Sequence, residues 1–274
     1  MGKGIANTFN IVQPLRNIGL AAILVAITLL NSSSNYIVPE FKVDVVVIDA
    51  GHGGKDSGTR GKKILEKDVA LKIALKVGHY IEKNIPGVKV IYTRKTDTYV
   101  SLDERADIAN RSNADLFICI HANSMPGGKA TGTETYVMGL HKDDSNFDVA
   151  KRENSVILMD EDYKERYEGF DPDSPESYIL FSLTQSAYQE SSLLFAQKVE
   201  DQFKQRAGRH SRGVKQAGFV VLWRTTMPSV LIETGFLSHA AEEQFLAQEK
   251  GQDLIASGIY RAFKEYKSEV ESIN

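Results

Sequence analysis

Two histidines and two glutamates stand where the chain leaves an apolar run or enters a helical one. His52 follows the run in VVVIDAGHGG, inside a turn of glycines, and His121 closes a second run in LFICIHAN. Glu66 comes 14 residues after His52 in LEKDVALKIA, at the start of a helical pattern, and Glu233 ends PSVLIE. Two neutral imidazoles and one carboxylate, with a fourth position left to water, make a catalytic zinc set. Glycines around His52 suit that chemistry, because they let a metal and a substrate approach the backbone. A second carboxylate beside such a site takes a proton from water and returns it to a leaving amine, which is the role Glu233 would have. Each residue also has a plain structural reading. A histidine or glutamate at a strand end is commonly surface or a satisfied core group, and Glu66 is a favourable charge at a helix N-terminus. What joins the four is the fold that must position them.

From residue 43 onward, apolar runs alternate with helical stripes. VDVVVID is continuous, as in a strand covered on both faces. Across Lys67–Asn84, Val69, Ile73, Val77 and Ile81 recur every four residues, and Pro86-Gly87 stops the pattern. VKVIYTR reads as the next strand, and Ser101-Leu102-Asp103-Glu104 as a capping box opening a helix through about Asn113. DLFICIHAN and GTETYVMG are a third and a fourth strand. Ser177 to Arg206 carries a long helical pattern, and GFVVL and PSVLIE are two more strands. Ser238 caps a short acidic helix, and Gln252 to about Glu269 is the last one. This alternation predicts an α/β fold, a three-layer α/β/α sandwich with a mixed, mostly parallel central sheet. In such sheets function collects at the carboxyl ends of the strands, where His52, His121 and Glu233 all fall, on three different strands.

The rhythm breaks from about Gly139 to Glu176. From Asp160 to Glu176 there are eight acidic residues against two basic, with Pro172 and Pro175, so the stretch reads as an insertion on the edge that carries the site. The 274 residues are 42% hydrophobic and 25% charged, enough for one large domain with a full core. A net charge of −3 argues against nucleic acid as a partner. The first 35 residues contain Lys3 and Arg16 and no acid, and IGLAAILVAITLL is a 13-residue apolar run. A spanning helix needs about 20 such residues. Residues 1–35 therefore read as a secretory signal peptide or a retained signal anchor, and the protein as exported to the periplasm or cell envelope, touching the membrane only through this segment if it is uncleaved. The single Cys119 reads as a small core residue.

IDAGHGGKDSGTRG, EKDVALKIA, YTRKTDTYVSLDERADIAN, DLFICIHAN, GTETYV, AKRENSVI, AGFVVL and MPSVLIETGFLS follow one another in this order. Over roughly Val45 to Phe263 the chain thereby resembles the zinc-dependent N-acetylmuramoyl-L-alanine amidases of the type-3 family. That resemblance implies a catalytic domain over about 43–268, Zn2+ on His52, Glu66 and His121, and Glu233 as the catalytic carboxylate. It implies hydrolysis of the amide between the lactyl group of N-acetylmuramic acid and L-alanine in peptidoglycan. The family often has Ser where Cys119 stands and Asn where His239 stands, neither within the metal set. Arg105 resembles a fixed family position and is read as a structural ion pair or a substrate contact. Asn123 either hydrogen-bonds the substrate or orients the ligand loop.

Many periplasmic relatives carry an inserted helix that places a carboxylate on the zinc until a protein activator moves it. Here the residues expected to supply it are Asp160, Glu161, Asp162, Glu165 and Glu168, with Glu161 and Glu165 foremost; the alternative is a solvated acidic loop. Two other functions stay open at the level of sequence. One is a zinc peptidase or deacylase acting on another cell-wall amide. The other is a non-catalytic peptidoglycan-binding protein, against which the presence of all four residues argues.

Overall fold

A computed structural model describes residues 42–140, 143–182 and 186–272, together with Met1. The apolar run at Ile18–Leu30 lies outside the described residues. Phe41–Asn274 forms one compact unit. Its strands are β1 (Val45–Ala50), β2 (Lys89–Tyr92), β3 (Leu116–Asn123), β4 (Thr133–Met138), β5 (Ser211–Ala217) and β6 (Ser229–Phe236). They form one sheet in the order β2-β1-β3-β6-β4-β5. Four of the five pairings are parallel; β4 against β6 is antiparallel. The expected mixed, mostly parallel sheet is what forms.

Alternation along the strands sends side chains to two cores. Val46, Ile48 and Ala50 of β1 pack with Val69, Ile73, Val77 and Ile81 of α1 (Glu66–Asn84). α6 (Gln189–Gln205) adds Phe195 and Phe203 to this core, and α8 (Glu249–Ser272) adds Ile259 and Phe263. Val47, Phe117, Cys119 and Leu231 face the other way, onto Ala109 of α2 (Leu102–Arg111) and the short α7 (Val220–Trp223).

The inserted segment belongs to this second core. It holds α3 (Asp144–Asn154), a 3₁₀ turn at Ser155–Met159 and the single turn α4 (Tyr163–Arg166), and leads into α5 (Pro175–Ser182). Its Val149, Ala150, Ile157, Tyr167 and Phe170 are buried against the sheet. The segment is thus a structural layer rather than a solvated acidic loop.

Three local expectations change. GFVVL is not a strand: Val220–Trp223 is a helical turn, and the strand is the half-buried SRGVKQA before it. A short buried apolar run does not distinguish strand from helix, and an edge strand carries too little apolar signal to stand out. The helix expected from Ser177 to Arg206 divides into α5, a 3₁₀ turn at Ser186–Tyr188 and α6. Ser101 precedes α2 but makes no side-chain cap; its hydroxyl instead accepts from Arg166 Nη1 at 3.2 Å. Among the described residues, no helix is long and apolar enough to cross a membrane.

Candidate active site

β1, β3 and β6 run parallel and side by side, so their carboxyl ends meet on one edge of the sheet. Beyond β1 the chain turns sharply, and His52 itself sits at φ 60°, a left-handed conformation that costs a non-glycine residue about 1–3 kcal/mol. The turn is held from beneath: Arg105 donates to the carbonyls of Ala50 and His52, both at 2.8 Å, and Arg94 donates to those of Ala50 at 2.9 Å and Gly51 at 2.7 Å. The glycines on either side leave room for the cluster. A Cβ at Gly58 would lie 2.5 Å from the His52 ring and 2.7 Å from Glu66, and one at Gly51 would collide with the His121 ring.

Glu66, at the first turn of α1, and His121, near the end of β3, complete the group. His52 Nε2 is 3.1 Å and His121 Nδ1 3.0 Å from Glu66 Oε1. A fourth residue joins them: Glu153, in the last turn of α3, brings Oε2 within 3.2 Å of His52 Nε2 and 3.1 Å of His121 Nδ1. One donor atom from each of the four residues lies within 4.8 Å of all the others. Donors bound to one ion at about 2.0–2.1 Å lie about 3.3 Å apart in a tetrahedron, and the four contacts of 3.0–3.2 Å are close to that.

The surroundings fit as well. His52 Nδ1 faces Asp56 Oδ2 at 2.7 Å, which leaves Nε2 as the lone-pair donor, and that buried nitrogen has no hydrogen-bond partner. Glu153 Oε2 is buried without a hydrogen bond in the same way. Glu66 is fixed by backbone amides, Oε1 accepting from Ala122 N at 2.9 Å and Oε2 from Thr59 N at 2.7 Å. Burial opposes charge on His52, yet Glu66, Asp56 and Glu153 raise its affinity for a proton well above the ordinary value. A dry pocket of lone pairs with an excess of carboxylates calls for positive charge, and the group is able to hold a metal ion.

Glu233, fully buried, pairs in register with His121 across β3 and β6. Neither of its carboxylate oxygens has a hydrogen bond. Burial, then Glu153 and Glu66, raise it well above the carboxylate range, with Arg152 opposing. Arg152 Nη2 lies 3.7 Å from Glu233 Oε1 and donates to Asn123 Oδ1 at 2.9 Å, while Nη1 donates to the Ser124 carbonyl at 2.9 Å. Open clefts flank this point. One, of about 690 Å³, is lined by residues that include Ser124, Gly127, Asp148 and Arg152; the other, of about 240 Å³, by residues that include His52, Gly58 and Glu153.

The structure thus brings together His52, Glu66, His121 and Glu233, and departs from other expectations. Arg105 is buried and spends its guanidinium on Asp49 Oδ1 at 2.8 Å and on backbone carbonyls, so it is the structural ion pair and not a substrate contact. Asn123 is engaged by Glu134, Ser124 N and Arg152. Glu161 and Glu165 are exposed and are not members of the four-residue group. Asp160 is turned inward to accept from Tyr99 Oη at 2.8 Å and Tyr167 Oη at 3.2 Å, while Asp162 and Glu168 pair with Arg166 and Arg224. The carboxylate that reaches the site is Glu153. It stands in AKRENSVI, where a matching stretch with an acid inside the insertion was the available signal; the richer acidic run further on drew attention away from it.

A buried His–Glu–His group beside a buried glutamate without hydrogen bonds, at the carboxyl edge of a mixed α/β sheet, defines a metal-dependent hydrolase class. A family model described as N-acetylmuramoyl-L-alanine amidase matches residues 46–265, and the chain belongs to that family of peptidoglycan-directed enzymes. It is 33% identical over 228 residues to N-acetylmuramoyl-L-alanine amidase AmiC of Escherichia coli O6:H1, covering 81% of this chain and 52% of that one. Against AmiA of Escherichia coli K12 the identity is 32% over 248 residues, covering 88% of this chain and 83% of the relative. The chain therefore spans about half of the one relative and most of the other. The crystal structure of an N-acetylmuramoyl-L-alanine amidase from Clostridium difficile 630 superposes with a TM-score of 0.62 at 30% identity, over 82% of this chain and 97% of that one.

Proposed function

We propose that this chain cleaves the amide between the lactyl group of N-acetylmuramic acid and L-alanine of the stem peptide in peptidoglycan, with zinc held by His52, Glu66 and His121 and with Glu233 as the proton carrier. The observation that carries the reading is the buried Glu233, without a hydrogen bond and in register beside His121, against a group of four donors close enough to share one metal ion. Two imidazoles and carboxylate oxygens suit zinc among the common divalent ions. When bound, the ion supplies Lewis-acid polarisation of the scissile carbonyl and acidifies a water molecule. Glu233 would take the proton of that water and return it to the departing amine. Asp56 fixes the tautomer of His52, and the amides of Ala122 and Thr59 keep Glu66 aimed at the ion.

In the described conformation Glu153 fills the fourth position and Arg152 leans on Glu233, so the site is closed to substrate. Turnover then requires the end of α3 to withdraw, and a protein activator that takes hold of the inserted segment is the partner this reading asks for. Because peptidoglycan lies outside the cytoplasmic membrane, residues 1–35 act as signal peptide or anchor, the catalytic domain spans about 43–268, and the enzyme works in the periplasm or cell envelope.

The test is digestion of purified peptidoglycan by zinc-loaded protein, read by mass spectrometry. Free stem peptides beginning at L-alanine, with unsubstituted glycan, are expected. Cleavage within the peptide, or release of acetate, would assign the site to a peptidase or deacylase instead. Chelation should abolish activity and zinc restore it.

A further inference from the structure

Behind His121 lies a buried polar chain that the reaction itself does not use. Asp49 of β1 and Cys119 of β3 are register partners in the parallel ladder, and both are completely buried. Asp49 Oδ1 accepts from Arg105 Nη1 at 2.8 Å and from Thr93 Oγ1 at 2.5 Å. Its Oδ2 accepts from Cys119 Sγ at 2.9 Å. Cys119 stands two residues before His121, on the same face of the strand, with its thiol beside the His121 ring.

The ring has two nitrogens to distribute. Nδ1 faces Glu66 and Glu153 at 3.0 and 3.1 Å, in the ligand group. For a neutral ring to offer a lone pair there, its proton must sit on Nε2, and a buried N–H needs an acceptor. We infer that Cys119 and Asp49 form a relay that fixes the tautomer of His121, Nε2–H donating to Sγ and the thiol S–H donating to Asp49 Oδ2. The relay rests on the metal site proposed above. A thiol fits because it donates one hydrogen bond and accepts another. His52 gains the same control directly from Asp56, whereas for His121 the carboxylate of Asp49 would act through the Cys119 sulfur. Cys119 and Asp49 are thus positioning residues. Their effect falls on metal affinity, since groups that orient ligands typically contribute 10–100-fold.

The experiment uses the full chain and two substitutions, Cys119→Val and Cys119→Ser. Zinc dissociation constants are measured by competition with a chromophoric chelator, and the His121 ring proton is followed by NMR in the zinc-loaded protein. Cys119→Val should weaken zinc roughly 10–100-fold. Cys119→Ser, which keeps a donor and an acceptor, should return to within about threefold of the parent. The Nε2–H resonance should be protected from exchange in the parent and the serine variant and lost in the valine variant. The thermal midpoint of the metal-free protein serves as fold control, with Cys119→Ala as a second apolar variant should valine crowd the strand. Apolar variants that hold zinc like the parent, or a serine variant as weak as valine, would overturn the relay and leave the metal site standing. A parent that binds no zinc would overturn both.

Discussion

Replacing Glu153 by alanine separates two roles that a carboxylate at this position could have. If it is a permanent ligand, removing it costs metal and rate together. If it closes the site, zinc affinity falls while turnover rises. The structure bounds the size of the effect. Besides Glu153 itself, the end of α3 is held by Arg152, through charge-assisted hydrogen bonds to the Ser124 carbonyl and Asn123 Oδ1. Such bonds contribute about 1.5–3 kcal/mol each, so two hold the closed state by about 3–6 kcal/mol. At 1.4 kcal/mol per factor of ten, less than about 1% of the resting protein is open. Removing Glu153 opens the fourth position and takes from Arg152 the carboxylate it meets at 2.9 Å, so the end of α3 is freer to withdraw while the two remaining hydrogen bonds of Arg152 still hold it. The expected gain in basal hydrolysis is therefore about 10–100-fold, and zinc binds at least about tenfold more weakly for loss of one donor in four. The assay is dye release from labelled peptidoglycan at saturating zinc, with zinc content checked by elemental analysis. A folded, zinc-loaded Glu153→Ala protein no faster than the parent refutes the closed-site reasoning.

Glu233→Gln should keep zinc and fold but lose about 10²–10⁴-fold in rate, whereas Glu66→Gln should lose zinc first; the reverse pattern in elemental analysis and kinetics would exchange their roles. Arg152→Ala in an otherwise native chain should also raise basal hydrolysis, by less than Glu153→Ala, because it loosens the helix end without vacating the fourth position; a fall in rate at full zinc loading would instead make Arg152 a helper of Glu233. Glu134 tests electrostatics outside the ligand group: burial raises its proton affinity, but Lys215, Arg212 and Tyr136 lower it below the ordinary carboxylate value overall. A carboxylate with a depressed folded-state pKa stabilises above its unfolded value, about 4.3, and loses that contribution as pH falls through the folded one. Glu134→Gln should therefore lower the denaturation midpoint at pH 7, with the difference from the parent shrinking below about pH 4; a difference independent of pH would show that charge is not what Glu134 contributes.

Sequence by itself determined the strands that carry chemistry. Continuous apolar runs ending in His52, His121 and Glu233, alternating with helical stripes, point to strands covered on both faces, and parallel strands put their carboxyl ends on one edge, so the juxtaposition of these residues was legible from pattern and spacing. Glu66 was legible for a similar local reason, since the stripe Val69–Ile81 fixes where its helix begins. Glu153 was not legible as a ligand, because α3 places it by tertiary packing: Val149 and Ala150 seat the helix on the sheet, and the turn to Glu153 is set by that contact rather than by any local signal. The acidic run after Asp160 has the stronger composition but the wrong placement, because burial of Tyr167 and Phe170 and the inward turn of Asp160 fix its backbone against the sheet, leaving Glu161 and Glu165 in solvent. Arg105 and Cys119 were likewise decided in three dimensions. Charge and polarity in a sequence do not reveal whether a group meets substrate or another buried group, and only the register of β1 against β3 sets Asp49 beside Cys119 and within reach of Arg105.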